Sequence, residues 1–230
     1  RPRVRFSAIG EGWGLLMQRW PMWVLTALIV LVCNSALSGV VFSFFRVRPI
    51  GGPGPFWVGL SPGGQALQVV LSTAINGIFL GGMFRMACQQ IRGRVVGVET
   101  LFSVLDVFPQ LILGSVLYGL ATFLGFCFLV VPGFIVSGVL MFTLPLIADA
   151  GLPATDALAQ SWHALKHQWL EATVFHLVAG FVSWVGLCFC VVGFVVTAPL
   201  YCLSIAVLYR DFFMIQGSPD PGKSVPPSSF

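Results

Sequence analysis

Charge is what this sequence lacks. Only 9% of its 230 residues are Asp, Glu, Lys or Arg, against about 25% in an ordinary soluble domain. Hydrophobic residues make up 57%, and the mean hydropathy is +0.93. A soluble globule of this size could not cover its core with so little polar surface. Composition therefore speaks against a soluble enzyme, a disordered chain and a secreted disulfide scaffold, and for an integral membrane protein. Patterns that carry chemistry are scarce too. The six cysteines form no C-x-x-C pair and show no His/Cys metal spacing. Five of them (Cys33, Cys127, Cys188, Cys190, Cys202) lie in apolar runs and read as small buried hydrophobes. No nucleophile elbow, P-loop or zincin motif occurs. The first apolar run is longer than a signal-peptide core and lacks a small-residue cleavage site. The chain opens on Arg1 rather than Met, which leads us to expect missing or removed residues upstream.

What is present is a set of long apolar runs. A helix needs about 20 apolar residues to cross a bilayer. Residues 21–45 are uncharged and make one span; a Gly/Pro-rich stretch leads into a second at about 65–84. Residues 111–148 and 172–209 are uncharged runs of 38 residues each. Each is too long for one span and fits two, with a turn expected at Gly133 (after Pro132) and at Gly193. Pro145 and Pro199 are expected to kink spans four and six. The expectation is an all-α integral membrane protein with six transmembrane helices.

Lys and Arg set the orientation. With the N-terminus inside, the inner segments hold Arg1, Arg3, Arg5, Arg19, Arg85, Arg92, Arg94, Lys166, Arg210 and Lys223, and the outer ones only Arg46 and Arg48. Both termini are therefore expected in the cytoplasm.

The outer turns GFCFLVVPGFIV (125–136) and GLCFCVVGFVV (186–196) align once Pro132 is treated as an insertion. The segments before each outward span also agree. Phe6, Ile9, Trp13, Leu16, Met17 and Trp20 share one helical face, as do Leu101, Phe102, Leu105 and Phe108. Leu158, Trp162, Leu165 and Trp169 form a third stripe, opposite Asp156, Gln160, His163 and His167. The chain thus reads as three hairpins, each preceded by a cytoplasmic amphipathic interfacial helix: units 1–92, 98–148 and 153–216 of a single domain, 1–216. Such helices anchor the rim of a bundle, or else admit lipid or dock a partner. The tail 217–230 is Pro/Ser-rich and is expected to be disordered in the cytoplasm.

Residues 85–212 carry VPGF at a span start, Asp149 closing that span, an A-L-x-x-S helix (Ala157, Leu158, Ser161), a span ending in a Gly turn, T-x-P and a closing Tyr-Arg. With Leu101 and Phe102 ahead of the third span, this resembles the bacterial inner-membrane families related to the membrane domain fused to some glycerophosphoryl diester phosphodiesterases, including the YciC-like proteins. The resemblance implies a six-helix inner-membrane protein and no catalytic residues. The soluble phosphodiesterase domain is absent from this sequence.

Candidate site residues are few. The spans hold no Asp, Glu, Lys or Arg, which argues against ion-coupled transport. His176, about one turn inside the fifth span, reads as bonded to a neighbouring helix. Asn34 and Asn76 fall near the middles of the first two spans, where each could satisfy the other or contact a substrate. Gly77 and Gly81 form a G-x-x-x-G helix-packing face. Arg85, Arg92 and Arg94 form the densest basic cluster, a topology signal or a contact for anionic lipid headgroups. His163 and His167 have i, i+4 spacing but no further ligand in register, so no metal site and no cofactor is assigned. Cys127 could pair with Cys188 across the outer turns.

The expected partners are membrane lipids and other membrane subunits or a second copy, with nucleic acid excluded. The leading functional expectation is a non-enzymatic scaffold or accessory subunit of the bacterial inner membrane. The alternative is a protein that binds or transports lipid or another amphiphile.

Overall fold

A computed structural model describes residues 3–45, 62–188 and 190–214, and at 41–45, 62–65, 184, 187, 188, 190–192 and 194 it describes the backbone alone. Expectations resting on Arg1, Arg46, Arg48, the Gly/Pro-rich stretch up to residue 61, the side chains of Cys188 and Cys190, Lys223 and the tail 217–230 lie outside the described residues.

The described residues are mostly helical and contain no strand. The order is α1 (Ser7–Gln18), α2 (Trp20–Phe45), α3 (Pro62–Ile91), α4 (Glu99–Phe102) with a 3-10 turn (Ser103–Val107), α5 (Phe108–Phe128), α6 (Val130–Val139) and α7 (Thr143–Ala150). Then come α8 (Ala154–Leu165), a 3-10 turn (Lys166–Gln168), α9 (Trp169–Cys188) and α10 (Cys190–Tyr209), closed by a π turn (Arg210–Met214). Among the described residues five stretches are long and apolar enough to cross a membrane: Trp20–Val40, Ala66–Ile91, Glu99–Phe128, Val130–Ala150 and Val195–Met214. The remaining expected span coincides with α9.

The long helices close on themselves. α2 packs on α3, α3 on α5, α5 on α6, α6 on α9, α9 on α10, and α10 back on α2. The core gathers at one end of this ring, where α7 and the C-terminal halves of α3 and α10 meet α1 and α8. Met86, Ala87, Phe142, Ile147, Leu203 and Ile205 are fully buried there. Small residues set the close approaches. A Cβ on Gly77 would strike Ser115, and one on Gly81 would come within 2.7 Å of Leu111, so the expected G-x-x-x-G face seats α5. On α6, a Cβ at Gly138 would reach 2.6 Å from Thr173 Cα of α9.

Several local expectations need correction. The first turn falls at Leu129, whose φ of −171° and ψ of 158° are extended, four residues before Gly133. In the second run α9 ends at Cys188 and α10 begins at Cys190, again before Gly193. The glycines lie just past the turns, where the two arms touch. Gly125 would place a Cβ 2.9 Å from Gly133 Cα, and Gly186 one 2.8 Å from the Gly193 carbonyl. Pro132 sits in the first turn of α6, where a missing N–H costs nothing.

Span four is broken rather than kinked. α6 stops at Val139, α7 starts at Thr143, and Pro145 is the third residue of α7. Proline cannot donate to the carbonyl four residues back and clashes with it, so the break precedes it. Pro199 stays inside a continuous α10. Gly151 ends α7 at φ 65° and Gly93 follows α3 at φ 72°, both left-handed closures that suit glycine.

Of the three expected stripes, Leu16, Leu101 and Leu165 are buried and most of the other large residues are exposed. In α1 the buried line is Ala8, Gly12 and Leu16, packed on α10 at Ser204, while Phe6, Trp13, Met17 and Trp20 are exposed. In α8 it is Ala154, Ala157, Ser161 and Leu165, while Trp162 is exposed. The segment 99–107 is an α turn followed by a 3-10 turn, burying Thr100, Leu101 and Val104 and exposing Phe102 and Leu105. Small side chains let backbones approach closely, and the large ones are left outside, at the core-bearing end of the ring.

Candidate functional site

Three polar groupings stand out in this apolar molecule. The first lies at the core-bearing end. Arg92, just past the end of α3, donates to both carboxylate oxygens of Asp149 at the end of α7, each at 2.6 Å. Tyr209, at the end of α10, donates its hydroxyl to the same carboxylate at 3.2 Å. Asp149 is almost fully covered, its side chain 4% exposed, while Arg92 keeps 38%. Burial works against the Arg92 charge, but the bidentate bond to Asp149 more than restores it and leaves the guanidinium above its ordinary pKa. Seven residues earlier, Arg85 forks onto Asp106 at 2.7 and 3.0 Å and also reaches the Ser103 carbonyl.

Nearby, Arg5 and Arg210 alternate with Glu11 and Asp211 in a four-residue network of 2.7–2.9 Å contacts. The hydrogen bond to Asp211 raises the Arg5 pKa. These bonds hold the N-terminal segment to the end of α10. The expected basic cluster is thus divided: Arg85 and Arg92 each have an acidic partner, and Arg94 is exposed with no ion pair among the described residues.

A buried network braces the same end. Trp23 Nε1 donates to Gln90 Oε1 at 2.7 Å, and Gln90 Nε2 donates to the Leu15 carbonyl at 2.7 Å. Ser161 of α8 repairs the break between α6 and α7. Its hydroxyl donates to the Val139 carbonyl at 2.8 Å and accepts from the Phe142 N–H at 3.2 Å. Gln110 of α5 accepts the Ala154 N–H at the start of α8. The A-L-x-x-S serine thus serves as a backbone substitute.

The second grouping is the amide pair. Asn34 Nδ2 donates to Asn76 Oδ1 at 2.8 Å, and Asn76 Nδ2 donates to the Ser72 carbonyl at 2.8 Å. Asn76 is exposed on the flank of the chain, and Asn34 Oδ1 is buried without a hydrogen-bond partner.

The third is a groove of about 860 Å³ opening sideways between α5, α6 and α9. Phe126, Phe134, Leu177, Val178 and Phe181 form its walls, and Ser137 and His176 are its polar residues. Behind it, the Tyr201 hydroxyl of α10 lies 3.4 Å from His176 Nδ1. The Tyr118 hydroxyl donates to the Ser137 carbonyl at 3.4 Å.

The structure thus brings Asn34 to Asn76 and gives His176 a partner on a neighbouring helix. It does not gather Arg85, Arg92 and Arg94 into one free patch. His163 and His167 are exposed, and no group of three metal-ligating side chains occurs among the described residues. Cys127 is exposed with a free thiol. Sequence reasoning missed Tyr118 and Tyr201, two of only three tyrosines in the chain. A hydroxyl inside an apolar span was the available signal, since a buried Tyr hydroxyl seeks a partner. Nor does the sequence pair Asp149 with Arg92, which lies 57 residues away. Comparison with protein-family models, with curated proteins and with solved structures finds no match for this chain.

Proposed function

We propose that the chain is a non-enzymatic scaffold or accessory subunit of a larger membrane complex, which receives another transmembrane helix on its α2–α3 flank. The amide pair carries this reading. A polar group facing lipid finds no water to bond, so intramembrane amides generally meet other helices. Asn76 faces outward, and Asn34 Oδ1 still lacks a donor. Only 17% of the most apolar window of α2 is buried, and Leu37, three residues from Asn34, and Val69, seven residues from Asn76 on the same helical face, are exposed. A partner helix would cover these residues and meet the outward-facing Asn76.

The same proposal includes six spans in three hairpins, with α9 as the fifth span, three rim helices, both termini in the cytoplasm and a bacterial inner-membrane location. Its supports are the distribution of Lys and Arg and the exposed Trp13, Trp20, Trp162 and Trp169, residues typical of the membrane interface. Kinship with the YciC-like families belongs to it as well, resting on the motifs of residues 85–212.

A photo-crosslinking residue at Leu37 or Val69, compared with one at Leu120 on α5, tests the docking flank in native membranes. The expected result is a protein adduct from the α2–α3 positions alone. Lipid adducts only, from all three, would contradict it.

A second reading, binding of lipid or another amphiphile, is favoured by the lateral groove between α5, α6 and α9.

A further inference from the structure

Resting on that second reading, we infer that the groove is a site for an uncharged amphiphile, a lipid whose small head bears a hydroxyl or carbonyl, with the head at His176 and the tail between Phe126, Phe134 and Phe181. The volume, about 860 Å³, lies in the range of small-molecule pockets and holds a head and part of a tail rather than a whole bilayer lipid.

The lining decides the chemistry of the head. Among the described residues it contains no Asp, Glu, Lys or Arg. His176 lies seven residues into α9 from Trp169, roughly 10 Å along the helix at 1.5 Å per residue. A phosphate or ammonium drawn to that depth would be stripped of water with no opposite charge to receive it, and that is costly. A hydroxyl or carbonyl needs only a hydrogen bond. His176 supplies one: Nδ1 is occupied by the Tyr201 hydroxyl at 3.4 Å, and the other ring nitrogen is left for the ligand. Tyr201 thus positions the imidazole, and the Tyr118–Ser137 contact braces the facing wall. The floor is preorganised before a ligand arrives, which lowers the ordering cost of binding.

Gly180 supplies a clean control. It lines the groove, and a Cβ added there meets nothing within 4 Å. Gly180→Leu therefore projects a side chain into the groove from a position where its Cβ meets no other atom.

The test reconstitutes the full chain in vesicles with a diazirine-bearing diacylglycerol or a diazirine-bearing phosphatidylglycerol and counts labelled peptides of α6 and α9. Wild type is expected to favour the diacylglycerol probe by about fivefold, the fold-change of one hydrogen bond. His176→Phe should abolish that preference, Tyr201→Phe should weaken it, and Gly180→Leu should remove groove labelling. Groove labelling by phosphatidylglycerol that Gly180→Leu blocks and His176→Phe leaves alone overturns the uncharged head but leaves the amphiphile reading standing. Labelling that none of the variants alters overturns both.

Discussion

At the scale of single residues, polar side chains divide by how deeply they sit. Asp149 is buried on one bidentate partner, whereas Glu11 keeps 37% of its side chain exposed within the Arg5–Asp211–Arg210 network. Removing one partner of a buried pair strands the other charge, at a cost of about 3–5 kcal/mol. Exposed pairs are each worth about 0–1 kcal/mol. Arg92→Ala should therefore lower unfolding stability in detergent by about 3 kcal/mol, and Glu11→Gln by less than about 1 kcal/mol, as read from denaturant titrations. Adding Asp149→Leu to Arg92→Ala should recover part of the loss, because the stranded carboxylate goes with it. Equal losses for Arg92→Ala and Glu11→Gln would count against this division.

At the scale of elements, the ring depends on helices whose defects are satisfied by neighbours. The α6–α7 break would leave the Val139 carbonyl and the Phe142 N–H unpaired inside the bundle without Ser161. Ser161→Ala should cost about 1–3 kcal/mol. Hydrogen exchange should quicken at Phe142 and its neighbours, while the far end of α5 is unchanged. No change at Phe142 would show that another group serves the break. The existence of the long helices was legible in the sequence, because uncharged runs of 38 residues have few alternatives. Their turns were not: glycine reads as a turn signal, yet Gly133 and Gly193 serve close helix contact just past the turns, while Leu129 bends the chain. The buried lines of the pre-span segments were not legible for a related reason. Periodicity finds the large apolar side chains, and in this solvent those face outward, so the buried lines are Ala8–Gly12–Leu16 and Ala154–Ala157–Ser161. Of the site, Asn34 with Asn76 was readable from their matching depths. Arg92 with Asp149 and His176 with Tyr201 were not, because their sequence separations of 57 and 25 residues carry no pairing signal.

At the scale of the whole molecule, the chain is asymmetric along the helix axes. One end concentrates the core, the ion pairs and the exposed tryptophans; the other relies on the crossing glycines beside Leu129 and Cys188. α2 is the least covered of the five candidate spans, and with α3 it carries the amide pair, whose Asn76 faces outward. The central claim is that another membrane helix completes this flank. Native mass spectrometry of the protein gently extracted from its own membrane tests it most directly. The account predicts a polypeptide assembly heavier than the 24.8 kDa chain, reduced to the single chain by Asn76→Leu. A single chain from wild type, bare or carrying only lipid, would contradict it.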